Sequence, residues 1–552
     1  TYISERNGAL FELPLTWYTD QGIWDLSPGY DEQNLRFSRP IVPECMNCHN
    51  SFAGHQPSSQ GHYTHVPNGI GCERCHGPGR AHVSAYEEGP GETGGEVGDG
   101  SIVNPANLPL ARQVDVCMQC HLQGTVSVLR TGRTETDFRP GMRLADLRSV
   151  YMPASDTSGD FGIASHGERM LMSKCFKASG GAMVCTTCHD PHKPLKQTDW
   201  EYYNRACLSC HEPDALAARV ADHESDADCA KCHMRQGETS NIIHVNFTDH
   251  WIRTPPETTT VSFEEARDRS RGRIVELKSF FEDEDVSSGI REGIAYVKYF
   301  EAKHSHPTYL KRAITHLEAG LERNPENADG HYSLGLAYRH AGRLEDAVDR
   351  LNRSIEMKPV TGDQTTNGRV LQELGRSEEA AAAYKASLRA YPDNAVALNN
   401  LGNVYAALGQ SESAIAAYEE AIRSQADYAP AYNNLGDHYA FKLQDLESGA
   451  AYFEAALKYD PDFVMALHNL GTVELAQGRT SDARRRFERA LVIDPRFVPA
   501  LGNLALIHLD QGNVDEAEAF EEDFEDQPGG SEGEGIGGED QKGRQIGKSG
   551  NR

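Results

Sequence analysis

The segment Cys72-Glu73-Arg74-Cys75-His76 carries the pattern that organises the first half of this 552-residue chain. Two cysteines are separated by two residues, and a histidine directly follows the second cysteine. The pattern occurs six times and uses all but one of the 13 cysteines. The cysteine pairs are Cys45 and Cys48, Cys72 and Cys75, Cys117 and Cys120, Cys185 and Cys188, Cys207 and Cys210, and Cys229 and Cys232, and the adjacent histidines are His49, His76, His121, His189, His211 and His233. No cysteine follows Cys232, which indicates that the two halves are different domains.

This repeated C-x-x-C-H pattern is the attachment signal for c-type haem. Two thiols about one helical turn apart can add to the two vinyl groups on one edge of a porphyrin, and the next imidazole then faces the iron. Zinc sites and disulfides also use paired cysteines, but neither explains a histidine directly after the second cysteine in every pair. The sequence therefore predicts six covalently bound haem c groups, with the six adjacent histidines as proximal iron ligands.

Each haem iron also needs a sixth ligand or an open position. Histidine at both axial positions gives a low-spin iron suited to electron transfer. We expect the six distal ligands to be His62, His82, His166, His192, His223 and His250, with His244, His65 and His55 as reserves. His82 and His192 follow their own proximal ligands too closely to reach the far face of the same haem. We therefore expect both to bind the iron of a neighbouring haem.

Two of these runs resemble a known family. Cys72 to His82, with Gly77-Pro78-Gly79 inside it, and Cys185 to His192, with Asp190-Pro191 inside it, are similar to multihaem c-type cytochromes of the lineage that contains tetrahaem electron carriers and hydroxylamine oxidoreductase. The resemblance covers about residues 40–255 and implies that the last histidine of each run binds another haem. The chain has no C-x-x-C-K motif, so it departs from the pentahaem nitrite reductases at their catalytic haem.

Two shorter runs resemble bacterial proteins that join a cytochrome to a repeat domain. They are Phe138-Arg139-Pro140-Gly141 and Thr248-Asp249-His250.

The second half has a repeat of about 34 residues. Leucine–glycine pairs open similar segments at Leu334, Leu401, Leu435 and Leu470. Prolines recur in register at Pro325, Pro359, Pro392, Pro461 and Pro495. The period and pattern are typical of the tetratricopeptide repeat, in which small residues let two antiparallel helices pack closely. We expect five repeats, with a degenerate repeat before them and a partial repeat after them. Such solenoids usually bind a peptide or a partner protein.

The predicted fold class is mainly α: a loop-rich multihaem cytochrome c domain followed by an α-solenoid of tetratricopeptide repeats. We expect the hexahaem domain over residues 1–255, a charged linker over 256–286 and the solenoid over 287–523. Residues 524–552 are expected to be a disordered tail rich in glycine and acidic residues. Cys175, the cysteine outside the pairs, is expected to be a small buried apolar side chain.

Composition restricts the function. The net charge of −28 argues against binding nucleic acid, which needs clustered lysine and arginine. No apolar run approaches the roughly 18 residues that a membrane span needs. Covalent haem indicates a periplasmic or extracellular protein, and a chain that begins at Thr1 is expected to be processed or trimmed.

Three hypotheses about function follow. The first is an electron carrier whose repeats dock redox partner proteins or copies of the chain itself. The second is a multihaem oxidoreductase acting on a small nitrogen or sulfur compound, which needs one iron with an open position. The third is a subunit of a polymeric extracellular cytochrome filament.

Overall fold

The computed structural model describes most of the chain between residues 2 and 514. The described ranges are 2–6, 9–19, 21–28, 30, 39–51, 54–55, 61–87, 102–122, 124–154, 166–194, 197–212, 228–238, 246–254, 274–282, 285–302, 306–359 and 361–514. The predicted ligand His223, the reserve His244 and the predicted tail lie outside these ranges. The chain divides into two compact units, residues 1–392 and 393–552. In the described part of the chain, no helix is both long and apolar enough to cross a membrane.

Small antiparallel sheets occupy the start of the first unit. Strands Ile3–Arg6, Ala9–Glu12 and Arg39–Pro40 form a three-stranded sheet, and Leu15–Tyr18 pairs with Ile23–Leu26. In the strand Leu15–Tyr18, exposed and buried side chains alternate, as they do in a strand with one solvent-facing side. A further two-stranded sheet pairs Gln236–Glu238 with Asn246–Thr248.

A fourth sheet joins the cytochrome part to the first helices of the repeat part. Its strands, in spatial order, are Leu277–Ser279, Arg148–Pro153 and Val126–Leu129. The first of these strands comes from the segment predicted to be a linker. The helix Ser288–Glu301 covers the sheet, where Arg291 donates a hydrogen bond from Nε to Ser149 Oγ at 3.0 Å. The first compact unit therefore contains both the cytochrome part and the first repeats.

Each C-x-x-C-H motif lies on a short helix or at its end. The six helices are Pro43–His49, Glu73–His76, Leu110–His121, Cys185–Cys188, Trp200–Leu208 and Cys229–His233. Further helices in this part are Arg80–Glu87, His166–Met172 and Lys174–Ala178. The helix Leu110–His121 is central, because it contacts the helices of the first, second and fourth motifs. Its apolar side chains Val114 and Met118 join a core with Phe138, Leu144 and Val150.

Antiparallel helix pairs form the second half, and the predicted α-solenoid is confirmed. Within the first unit the helices are Ser288–Glu301, Pro307–Arg323, Ala328–His340, Leu344–Met357, Thr361–Glu373 and Ser377–Ala390. In the second unit they are Ala395–Ala407, Ser411–Ser424, Ala429–Asp437, Leu446–Tyr459, Val464–Ala476, Thr480–Ile493 and Val498–Asp510. The segment His438–Lys442 is a π-helical turn. This repeat has one more residue between its leucine–glycine pair and its second helix than the neighbouring repeats, and a π turn accommodates such an insertion.

Candidate functional site

Every motif cysteine is half-buried or exposed. Several thiols of different motifs lie within hydrogen-bonding distance of each other. These pairs are Cys48 with Cys120, Cys117 with Cys185, and Cys207 with Cys229. Burial raises the pKa of Cys207 to about 12. The fold therefore brings the first motif beside the third, the third beside the fourth and the fifth beside the sixth.

Three histidines of the cytochrome part are oriented by main-chain carbonyl groups. His76 Nδ1 donates to Val103 O at 2.8 Å, and His233 Nδ1 donates to Arg253 O at 2.8 Å. His250 Nδ1 donates to the carbonyl oxygen of Thr248 at 3.0 Å. Because a carbonyl oxygen only accepts, Nδ1 carries the proton and Nε2 keeps its lone pair. Metal-binding histidines are commonly held in this tautomer by a hydrogen bond of the same kind.

The fold brings three predicted proximal histidines close to three predicted distal histidines. The ring centroids of His76 and His192 are 6.0 Å apart, with an interplanar angle of 17°. Those of His189 and His250 are 5.9 Å apart, and those of His121 and His166 are 5.1 Å apart. Two imidazoles bound to opposite faces of one metal through bonds of about 2 Å have centroids ~6 Å apart. The separations of the first two pairs therefore fit an iron held between two imidazoles. His166 lies closer to His121 than such an arrangement allows, and its ring centroid is also 4.6 Å from that of His250.

His166, His189 and His250, in the centre of this group, are half-buried. Burial, followed by the charge of neighbouring histidines, lowers the pKa of His166 to about 3, and burial lowers that of His250 to about 4. Burial also lowers the pKa of His121 and of His189. Neutral imidazoles are the form that binds metals. Among the described residues, Nδ1 of His166 has no hydrogen-bond partner although it is buried.

The remaining predicted ligands lie in other places. His62 packs edge-on against Tyr391, with centroids 5.8 Å apart, and His82 lies half-buried on the helix Arg80–Glu87. The reserve ligand His55 contacts Tyr63, and the other described reserve, His65, is exposed. The predicted proximal ligands His49 and His211 are exposed, and Cys175 is half-buried.

One part of the site was not predicted from the sequence. Arg169 and Asp249 form a buried ion pair beside the paired histidines, with Nη2–Oδ2 at 2.6 Å. Burial opposes the charge of Asp249, but the hydrogen bonds and charge of Arg169 keep its pKa below the ordinary value. In the sequence, Asp249 stands out only as a member of the run Thr248-Asp249-His250, which resembles bacterial proteins that join a cytochrome to a repeat domain. Nothing around Arg169 distinguishes it from other arginines.

Comparison with known families agrees with this architecture. Residues 30–77 match the family described as cytochrome c554 and c-prime. Residues 310–360, 365–430, 438–495 and 468–531 match the tetratricopeptide repeat family. The protein therefore has a cytochrome c domain near its N-terminus and tetratricopeptide repeats, which mediate protein–protein interaction, in its C-terminal half. Both classes were predicted from the motifs, and both predictions are confirmed.

Particular relatives match parts of the chain. Dissimilatory sulfite reductase MccA of Wolinella succinogenes is 23% identical over 209 residues, covering 33% of this chain and 25% of the relative. BBSome complex member bbs-4 of Caenorhabditis elegans is 34% identical over 103 residues, covering 17% of this chain and 22% of the relative. The chain thus spans about a quarter of the length of each of these curated relatives.

Solved structures match the repeat architecture. The crystal structure of MamA is 26% identical, with a TM-score of 0.25. The match covers 28% of this chain and 91% of the MamA chain. A tetratricopeptide repeat protein from Parabacteroides merdae is 18% identical, with a TM-score of 0.37, and covers 43% of this chain and 91% of its own.

Proposed function

We propose that this chain is a periplasmic or extracellular electron-transfer protein that carries six covalent haem c groups. The observation that carries the proposal is the pairing of His76 with His192 and of His189 with His250. His166, which lies beside His121, is the proposed distal ligand of the iron of the third motif. A haem iron held between two histidines has no free position for a substrate, and it exchanges single electrons between its ferric and ferrous states. His62, His82 and His223 are the proposed distal ligands of the other three irons.

The arrangement of the attachment helices supports a relay. Thiol contacts join the first motif to the third, the third to the fourth and the fifth to the sixth. The helix Cys185–Cys188 also packs against Trp200–Leu208, which connects the fourth motif to the fifth. Five of the six motifs thereby form one continuous series, and the helix Glu73–His76 of the second motif packs against the helix of the third. A protein that passes electrons from one end to the other requires such a series.

The repeats are proposed to dock a redox partner or another copy of the chain. Tetratricopeptide repeats bind proteins, and the net charge of −28 favours the approach of a basic partner through long-range attraction. The proposed location follows from the cytochrome c class, because covalent haem is attached outside the cytoplasm.

The first test is to count haems and to determine their spin state. The full chain is produced in a host that matures c-type cytochromes, and the pyridine haemochrome assay is combined with electron paramagnetic resonance of the oxidised protein. We expect six haems per chain and only low-spin ferric iron. Fewer than six haems, with zinc bound at the remaining motifs, would contradict the proposed cofactor content.

A second candidate function is a multihaem oxidoreductase acting on a small sulfur compound. The similarity to a dissimilatory sulfite reductase favours it. This function requires an iron with an open position, which gives a high-spin ferric signal. Adding sulfite should change that signal if the second candidate is correct, and it should leave every signal unchanged if the protein is only an electron carrier.

A further inference from the structure

Asp249 lies at the centre of a buried polar network in the cytochrome part. Its carboxylate accepts two hydrogen bonds from Arg169: from Nε to Oδ1 at 2.8 Å and from Nη2 to Oδ2 at 2.6 Å. The main-chain nitrogen of Trp251 donates to Oδ1 at 3.0 Å, and Arg253 donates to Oδ2 at 3.2 Å. The Asp249 side chain is 0% exposed and that of Arg169 is 3% exposed. A buried carboxylate with four donors has little freedom to move.

An aromatic side chain closes the network. The guanidinium groups of Arg169 and Arg253 lie 5.1 and 4.3 Å from the ring centroid of Trp251. Both distances are within the range of cation–π attraction. Each arginine is therefore held by a carboxylate and by a ring.

The network connects to the histidines of three different proposed haems. Arg169 lies one helical turn after His166 on the helix His166–Met172, and Asp249 directly precedes His250. The main-chain carbonyl of Arg253 accepts from His233 Nδ1 at 2.8 Å, and its main-chain nitrogen donates to the His233 carbonyl at 3.0 Å. His166, His250 and His233 belong to the haems of the third, fourth and sixth motifs in the proposed assignment.

We propose that Asp249 is a positioning residue which, through Arg169 and Arg253, sets the orientation of His166, His250 and His233 together. The inference rests on the proposed function, because it assumes that these histidines bind haem iron. The bidentate Arg169–Asp249 pair allows one relative placement of the helix His166–Met172 and the segment Thr248–Arg253. Movement of that pair changes the approach of two distal imidazoles to their irons at the same time.

The test compares the full-length haem-loaded protein with its Asp249→Asn variant. Asparagine keeps the size of the side chain, but its amide nitrogen cannot accept a hydrogen bond from either arginine. We expect the haem count to stay at six, because the attachment cysteines are unchanged. At least two of the six low-spin signals should shift or be lost, and the potentials of the same haems should change.

A matched control is Glu135→Gln. Glu135 forms a comparable ion pair with Arg148 in the same half, at 2.8 Å, with side chains that are 11% and 8% exposed. No histidine directly precedes or follows Glu135. Because this ion pair lies near Cys48 and Cys120 of the first and third motifs, the variant should keep the low-spin signals of the haems of the fourth and sixth motifs at their wild-type positions. A change of equal size in both variants would show that any lost ion pair perturbs the haems, and the proposal would be wrong.

A milder variant, Arg253→Lys, covers the case in which Asp249→Asn does not fold. Lysine keeps the charge but loses the planar fork and the stacking on Trp251. We expect shifted signals for the haems of the fourth and sixth motifs only. Unchanged signals in a folded Asp249→Asn or Arg253→Lys protein that carries six haems would overturn the positioning role. The proposed function fails on a different result, namely a wild-type protein that lacks six low-spin haems.

Discussion

The imidazole of His192 lies 6.0 Å from that of His76, centroid to centroid, although the two residues belong to different C-x-x-C-H regions. The local chain explains how His192 is presented. Pro191 prevents the motif helix from continuing, and the main-chain nitrogen of His192 donates to Asp190 Oδ1 at 3.0 Å. This turn directs His192 away from its neighbour His189 and toward the second motif.

Replacing His192 with methionine tests this cross-ligation. The thioether is a weaker donor to ferric iron than imidazole, so the potential of one haem should rise. The rise should be on the order of 0.1 V, within the ~0.8 V range that axial ligands cover. Spectroelectrochemical titration measures it. His306→Met is the control, because His306 is exposed in the repeat part and is not a predicted ligand, and it should leave all six potentials unchanged. Identical titrations of the His192→Met and wild-type proteins would show that His192 is not a ligand.

The second prediction concerns covalent attachment. A Cys72→Ser/Cys75→Ser double variant removes both thiols of the second motif, so it should carry five haems instead of six. Mass spectrometry of the denatured protein counts the groups that stay attached. Cys175→Ser is the matched control, because Cys175 is outside the motifs, and it should keep all six. Loss of a haem from the Cys175→Ser protein would contradict the assignment of the twelve motif cysteines.

The third prediction concerns close packing in the solenoid. A Cβ atom added at Gly402 would lie 2.5 Å from Cε1 of Tyr418, whereas a Cβ at Gly502 meets nothing within 4 Å. Gly402→Ala should therefore lower the free energy of unfolding by about 1–3 kcal/mol. Gly502→Ala should raise the free energy of unfolding by about 0.5–1 kcal/mol, because alanine has less conformational freedom than glycine in the unfolded chain. Urea unfolding followed by circular dichroism measures both changes. Equal effects of the two substitutions would show that Gly402 is not closely packed.

The fourth prediction is a pH dependence in the repeat part. Burial raises the pKa of Asp363 to about 6, although Ser354 donates a hydrogen bond to its Oδ2 at 2.7 Å. Folding raises the pKa of this carboxyl group, so the folded protein favours the protonated form. The folded state is therefore most stable below the pKa that the group has in the unfolded chain, and it loses stability as the pH rises through 6. Asp363→Asn should thus stabilise the protein by up to about 2 kcal/mol at pH 7.5 and have little effect at pH 4.

Thermal unfolding of wild-type and Asp363→Asn proteins at both pH values checks this prediction. Asp349→Asn is a suitable control, because Asp349 is exposed in the same part of the solenoid. A stabilisation by Asp363→Asn that is the same at pH 4 and pH 7.5 would exclude the titration of Asp363 as its cause.

Local patterns in the sequence were sufficient for two conclusions about this protein. The C-x-x-C-H motif contains its own chemistry within five residues, so Cys72, Cys75 and His76 predict haem attachment without knowledge of the fold. The repeat pattern is also local, because each helix pair packs mainly on its neighbours, and its period therefore predicts the solenoid. These two patterns predicted the cytochrome and repeat classes correctly.

Only the tertiary structure decided which histidines meet and what holds them. The sequence named His166 and His250 as ligands, but the partners His121 and His189 follow from contacts between distant segments. The ion pair of Arg169 with Asp249 joins residues 80 positions apart, and no local pattern marks it. The strand Leu277–Ser279 has three residues and no alternating pattern, so it was predicted to be linker. Its main-chain hydrogen bonds depend on Arg148–Pro153, a strand that folding alone brings alongside it.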